Sequence, residues 1–456
     1  MPDVLSATHS KRATMAVSEV TTMERNAIKR LREWKNSSAR KPLIVRGTRQ
    51  VGKTWLMKEF GRQDFKDTAY VNFDSNPEMA ALFEGSLDVS RLIAGLQIYC
   101  GKKIVPRETL LIFDEIQEVP RALNSLKYFC ENAPGYAVIS AGSLLGVAMH
   151  KGTGFPVGKV DFLELYPMSF SEFLNATGNE KLAELLHSGD WQLITALKTR
   201  YIELLRYYYF IGGMPEALQT FIRENDLNAV RKVQENILTA YEHDFSKHVP
   251  LETLPRIRMV WQSIPSQLAR ENRRFVYGAL RAGARAKDFE LAIQWLRDCG
   301  LVEQVIRLTK PALPLPAYAE SGFKMFLSDV GLLGAMSGLD AKTLLNGNRL
   351  FTEFKGALTE QYVAQQLRSE LGIKPFYWSS EKATSEVDFV FQEGMEIYPL
   401  EVKAEENLKA KSLKVYAETY GPKLSFRTSM SDFRKESWLV NLPLYAISRL
   451  RSFCRE

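Results

Sequence analysis

The sequence predicts an α/β protein of more than one domain, led by a parallel sheet. Three observations carry that prediction. The chain has 456 residues, and domains usually run to roughly 100–200 residues. Strand and helix signals alternate from Leu43 to about Leu165, the pattern of a parallel sheet with crossover helices. A glycine-rich turn also joins the first of those strands to the first of those helices. An apolar fraction of 45% and a charged fraction of 25% are those of an ordinary globular protein, which argues against wholesale disorder. No window approaches the run of about 18 apolar residues that a spanning helix needs, and the N-terminus lacks the basic-then-apolar order of a signal peptide. The reading is a cytoplasmic chain with no membrane partner. Cys100, Cys130, Cys299 and Cys454 lie far apart without paired spacing, which argues against both a disulfide framework and a zinc site.

In chain order, residues 1–22 are polar and aperiodic and read as a mobile tail. A core domain over 23–165 opens with Met23–Trp34, where Ile28, Leu31 and Trp34 recur at helical spacing. Its strands are expected at Leu43–Val45, Ala69–Phe73, Leu110–Phe113 and Tyr136–Ser140. Strand signals then vanish over 166–245, where helices broken by Gly212-Gly213 and Pro215 predict a small lid. The stretch 246–310 holds two helical patterns and ends in the apolar run Leu301–Leu308, compatible with a winged helix. Pro311, Pro314 and Pro316 then read as a linker to a third, mixed domain over 311–456.

Gly47-Thr48-Arg49-Gln50-Val51-Gly52-Lys53-Thr54 fits the G-x-x-x-x-G-K-[ST] phosphate loop, with the strand before and the helix after that the motif requires. The glycines let backbone amides turn inward around phosphates, Lys53 reaches the β and γ phosphates of ATP, and the Thr54 hydroxyl is a Mg²⁺ ligand. Leu110–Phe113 followed by Asp114 and Glu115 supplies the other half: Asp114 to hold Mg²⁺ and Glu115 to polarise the attacking water. Ser143, after the next strand, is the candidate sensor of the γ phosphate. ATP and Mg²⁺ are therefore the expected cofactors.

A second constellation lies near the C-terminus. Glu386–Phe391 and Ile397–Lys403 read as two paired strands around a turn at Gln392–Gly394. Alternation puts Val387, Phe389 and Phe391 on one face with Asp388 opposite, and Tyr398, Leu400 and Val402 inward with Glu401 and Lys403 opposite. Asp388, Glu401 and Lys403 can then converge. A metal-dependent nuclease needs carboxylates to hold Mg²⁺ and a lysine beside the scissile phosphate. Glu360, on a helix expected over Gly356–Leu367, could add a further metal-binding carboxylate. A solvated charged face of a hairpin is the plainer alternative.

Taken together, Arg46–Thr54, Phe113–Gln117, Tyr166–Phe173, Gly212–Glu216, Leu327–Leu332 and the pair Glu386–Asp388 with Glu401–Lys403 resemble a widespread family of prokaryotic AAA-type ATPases with a C-terminal domain of uncharacterised function. The resemblance spans about residues 23–450. It implies an AAA-like ATPase, a winged-helix segment and a C-terminal domain similar to the PD-(D/E)xK nucleases. It puts the ATPase roles on Lys53, Thr54, Asp114 and Glu115, and the nuclease-like roles on Glu360, Asp388, Glu401 and Lys403. One departure stands out: Gly158-Lys159 occupies the place of a Gly-Arg pair, so an arginine finger would have to lie elsewhere, for example at Arg121. Such ATPases often complete their sites between subunits, which makes a homo-oligomer the expected assembly.

Between Leu251 and Lys310, 11 Lys or Arg face 6 Asp or Glu, so this stretch carries +5 of the chain's +7. Clustered cations neutralise nucleic-acid phosphates, and DNA is the favoured partner over RNA. The leading expectation is an ATP-driven enzyme acting on DNA, with metal-dependent cleavage by its last domain. The rival is a regulatory switch in which ATP occupancy sets a conformation and the last domain only docks.

Overall fold

A computed structural model describes residues 23–142, 155–346, 352–380, 384–406 and 410–455. The N-terminal sheet has five parallel strands: β1 (Leu43–Arg46), β2 (Asp67–Asn72), β3 (Thr109–Asp114), β4 (Ala137–Ala141) and β5 (Asp161–Glu164), in the order β2-β3-β4-β1-β5. Crossover helices cover both faces, which is why β3 reads as an unbroken apolar run and every residue of it is buried. Ile44, Val71, Leu111 and Phe113 enter the core on one face. Leu43, Val45, Leu110 and Ile112 enter the core on the other, where Ile28, Leu31 and Trp34 of the helix Ala27–Asn36 also pack. This strand order brings the carboxyl ends of β3, β4 and β1 side by side along one edge of the sheet, the usual ligand side of such sheets.

Helices take over after β5. Lys198–Ile211 stops at Gly212, and Pro215 starts the next helix, Pro215–Glu224. The turn between them requires glycine. A Cβ on Gly212 (φ +73°) would lie 2.1 Å from a carboxylate oxygen of Asp329, and one on Gly213 would lie 2.1 Å from the Met168 carbonyl oxygen. A 22-residue helix, Leu227–His248, follows and runs back towards the phosphate loop. The helices Leu254–Leu268 and Ala286–Asp298 then precede an antiparallel pair, β6 (Val302–Leu308) and β7 (Ala319–Leu327).

That pair changes the domain picture. The remaining strands are β8 (Phe376–Ser379), β9 (Glu386–Glu393), β10 (Glu396–Val402), β11 (Ser425–Ser429), β12 (Arg434–Lys435) and β13 (Leu439–Pro443). All eight form one sheet in the order β12-β13-β11-β10-β9-β8-β6-β7. Because β6 pairs in parallel with β8, the proline run expected as a linker is instead the connection between two strands of a continuous sheet. Docking the hairpin satisfies the edge of β8, which would otherwise leave a row of backbone groups unpaired. The boundary expected between residues 310 and 311 therefore falls inside a hairpin.

Register matters at one more place. The pairing of β8 with β9 shifts between Phe376 and Trp378. Strict alternation breaks there, and Val387 joins Val390, Trp378 and Leu413 in one core while Phe389 and Phe391 face the other. The expected grouping of Val387 with Phe389 and Phe391 fails for that reason.

Candidate nucleotide site and C-terminal acidic cluster

The phosphate loop connects the end of β1 to the helix Lys53–Asp64. Gly47 (φ +148°) lies where a Cβ would come within 2.1 Å of the Leu165 carbonyl oxygen, and Gly52 (φ +94°) caps the helix in a left-handed conformation. Gln50 is left-handed as well. Val51 is fully buried in the core, so its side chain anchors the loop. Lys53 is also buried, and its ammonium donates to the carbonyls of Gly47 (2.9 Å) and Thr48 (2.8 Å). Burial pulls its pKa down to about 8, against the pull of Glu115 and Asp114.

The two halves of the motif meet. The Thr54 hydroxyl donates to Asp114 Oδ2 at 2.7 Å, and the Tyr70 hydroxyl reaches the same oxygen at 3.1 Å. Glu115 follows Asp114 in a left-handed conformation (φ +50°), and its Oε2 accepts from Gln117 Nε2 at 2.7 Å. Ser143 lies outside the described residues. Neither finger candidate is directed at the loop: Lys159 pairs with Glu131 at 2.9 Å, and Arg121 donates to the carbonyls of Phe83 and Gly85.

Supports that sequence reasoning missed hold the loop from behind. Arg49 is ion-paired with Asp244, and the Tyr241 hydroxyl donates to the Arg49 carbonyl at 2.9 Å, so the long helix Leu227–His248 grips the loop. The buried Arg25 donates to the Val51 carbonyl (3.0 Å), to the Tyr166 carbonyl (2.6 Å) and to Glu172 (3.2 Å). Glu172 completes a capping box with Ser169. Next in line, Met168 N–H donates to the Gly213 carbonyl and Gly213 N–H donates to Asp329. Asp329 is wholly buried, caps the helix Val330–Met336 and accepts from Gln365 on the helix Thr352–Ser369. Three motif blocks without an obvious chemical role, Tyr166–Phe173, Gly212–Glu216 and Leu327–Leu332, thus form one hydrogen-bonded junction between the loop and the C-terminal region.

The C-terminal residues also converge, with company. Val402 N–H donates to Asp388 Oδ2 at 2.8 Å, and Lys403 donates to Glu401 at 2.5 Å. Glu360, from the helix Thr352–Ser369, is paired with Arg273 and lies 3.4 Å from the ammonium of Lys324. That ammonium is fully buried, 2.6 Å from Glu386 and 3.7 Å from Asp388. Burial pushes Glu360 up to about 7 and Glu401 up to about 8, with Asp388 adding to both and the neighbouring cations opposing. Burial also acts to raise Asp388, but Lys324 and Arg273 outweigh it and hold that carboxyl below its usual value. Among the described residues, no group of three or more His, Cys, Asp or Glu side chains is arranged to hold a metal ion. Arg273, counted above among the cations for nucleic acid, is committed to Glu360. Glu386 begins the strand that carries Asp388, but Lys324 lies on β7, separated from β9 by β8 and β6, and no sequence signal pointed to it.

The phosphate loop on a parallel sheet and the Thr54–Asp114 contact are the arrangement of a P-loop nucleotide-binding fold. Residues 39–174 match the AAA domain family, residues 202–343 match a domain of unknown function (DUF8612), and residues 355–446 match another (DUF4143). No curated protein matches the chain. Among solved structures, a Walker-type ATPase of Pyrococcus abyssi is similar at 13% identity and TM-score 0.45, covering 69% of this chain and 96% of its own. The Aeropyrum pernix ORC2 protein in its ADP form gives 16% identity and TM-score 0.32, covering 70% of this chain and 91% of its own. The Aeropyrum pernix ORC1 protein in complex with DNA gives 15% identity and TM-score 0.27, covering 68% and 91%. Among the described residues, no helix is long and apolar enough to cross a membrane.

Proposed function

We propose that this chain binds ATP with Mg²⁺ in its phosphate loop, hydrolyses it, and uses nucleotide state to set how its basic segment and C-terminal sheet engage DNA. The observation that carries the first part is the 2.7 Å contact between Thr54 and Asp114, which joins the phosphate loop to the acidic end of β3. Thr54 and Asp114 fit Mg²⁺, being a hydroxyl and a carboxylate at the mouth of a loop of inward-turning amides. The ion would neutralise charge on the β and γ phosphates. Lys53 leaves the Gly47 and Thr48 carbonyls for the phosphates, and Glu115 orients the attacking water. Arg49, Gln50 and Val51 contribute backbone to the cradle.

The chain of contacts from Val51 through Arg25, Glu172 and Gly213 to Asp329 supports transmission to the C-terminal sheet. Exposed Arg256, Arg270, Arg281, Arg285 and Lys287 support contact with DNA phosphates. A homo-oligomer is the proposed assembly, because ATPases of the resembled class often complete their sites between subunits and neither Lys159 nor Arg121 is directed at the loop of its own chain. For the C-terminal domain, the ion pairs around Glu360 and Asp388 favour the docking role over cleavage.

The test is ATP turnover with and without duplex DNA at rising salt, in the intact chain and in an Asp329→Asn variant. The expected result is turnover stimulated by DNA at low salt, with Asp329→Asn keeping basal turnover and losing the stimulation. Turnover indifferent to DNA at every salt concentration would remove DNA from the reading.

A further inference from the structure

The C-terminal sheet carries the D…E-x-K pattern of a metal-dependent nuclease, yet most of the oxygens of its carboxylates already face a cation or a backbone amide. Glu360 accepts from Arg273 with one oxygen and faces Lys324 with the other. Asp388 accepts the Val402 N–H with Oδ2 and turns Oδ1 to Lys324 at 3.7 Å. Glu401 accepts from Lys403 through Oε1 at 2.5 Å, and its buried Oε2 has no hydrogen-bond partner.

The two cations are built into this place. Lys324 projects from β7, which joins the sheet through the hairpin with β6, and its side chain has no exposed surface. Arg273 adopts a left-handed backbone (φ +50°), which a side chain of its kind rarely takes without compensation. The next residue, Arg274, makes a β-bridge to Lys324 that fixes the segment. On the facing helix Gly356 leaves room for the guanidinium, since a Cβ there would lie 2.6 Å from Arg273 Nη2. A divalent ion bound by Glu360 and Asp388 would have to share their oxygens with an ammonium that cannot leave for water, and like charges at that separation repel strongly.

We infer that Lys324 and Arg273 stand in place of the catalytic metal: the nuclease-like cluster is an internally neutralised ion network that fastens the β6–β7 hairpin to the C-terminal sheet and binds no divalent cation. The three cations Lys324, Arg273 and Lys403 face the four carboxylates Glu360, Glu386, Asp388 and Glu401, so little charge remains to attract an ion. Fastening by buried charges is specific because breaking one pair leaves its partner desolvated. The inference rests on this cluster and is independent of ATP hydrolysis.

The test measures Mn²⁺ binding by the free-ion paramagnetic resonance signal, using nucleotide-free full-length chain with Asp114→Asn to silence the phosphate-loop site. The expected result is no Mn²⁺ bound at concentrations up to the millimolar range. Adding Lys324→Ala should create one site at least tenfold tighter, which a further Asp388→Asn removes. Mn²⁺ bound by the Asp114→Asn chain and lost on Asp388→Asn would overturn the inference. So would a folded Lys324→Ala protein that gains no Mn²⁺. Should Lys324→Ala fail to fold, the Asp114→Asn measurement decides alone. Metal-dependent plasmid nicking that survives Asp114→Asn and disappears with Asp388→Asn would also overturn it.

Discussion

Two buried lysines, Lys53 in the phosphate loop and Lys324 in the C-terminal sheet, have opposite surroundings and opposite consequences. Both are nearly or fully excluded from water, and burial alone disfavours the charged form of each. The hydrogen-bond partners of Lys53 are two neutral carbonyls, so desolvation wins and its pKa falls. Lys324 faces Glu360, Glu386 and Asp388, which overcome the same penalty and hold its pKa above the usual value. A buried ammonium without a charged partner in contact is poised to take one from outside, as a triphosphate would supply. One that is already neutralised recruits nothing and serves as a fastening. Chemistry and architecture are thus separated here by which partner each lysine already has.

The largest effect that would break this comparison is at Lys53. Lys53→Ala is expected to lower ATP turnover by about 10²–10³-fold, the range seen when one stabilising donor is removed from a transition state, while leaving the melting temperature close to that of the parent chain. A turnover assay alongside a thermal melt checks both, and an unchanged rate would remove the phosphate loop from the chemistry. Lys324→Ala should do the reverse. It leaves three carboxylates without their shared cation, and the expected cost is about 3–5 kcal/mol of folding stability, read by denaturant titration of the full chain.

A smaller effect sharpens the contrast through pH. Lys53 has a folded pKa near 8, below the ordinary value, so its protonated fraction falls as pH rises through 8. Phosphate binding needs the protonated form. Nucleotide affinity should therefore hold from pH 6 to 7 and weaken above 8, by up to about tenfold per further unit, with a proton taken up on binding at pH 9. Fluorescent-nucleotide titration in buffers of different ionisation enthalpy would show it, and a flat profile to pH 9 would contradict it. The smallest effect is expected at Arg49→Ala, which breaks a partly exposed pair with Asp244. Stability should change by about 1 kcal/mol or less, while any change in turnover would report how firmly the helix Leu227–His248 holds the loop.

Much of this was legible in order along the chain. The strand at Leu110–Phe113 announces itself because a strand buried on both faces must be apolar throughout, and the phosphate loop because Gly47 and Gly52 hold φ values that a side chain rarely takes. The pairing of Thr54 with Asp114 followed from those two local facts plus the parallel order of the strands. Alternation placed Asp388, Glu401 and Lys403 on one side of two strands, whereas Glu360 comes from a helix, where strand alternation has no bearing. The linker reading failed because prolines suit a hairpin connection as well as a tether, and nothing local reveals that β6 will dock on β8. The face assigned to Val387 failed on a register shift that depends on a neighbouring strand.

By itself, then, the sequence determined the local chemistry: which turns need glycine, which runs must be buried, and which short spans can cradle phosphate. Only the tertiary structure decided which charges meet. Arg273 and Lys324 reach Glu360 across 87 and 36 residues, and Arg25 reaches Glu172 across 147. Pairing in a desolvated interior depends on packing geometry between distant elements, and no periodicity along the chain encodes it. The same D…E-x-K letters can describe a metal site or a filled ion cluster, and Lys324 on β7, far from them in sequence, is the residue that separates the two readings.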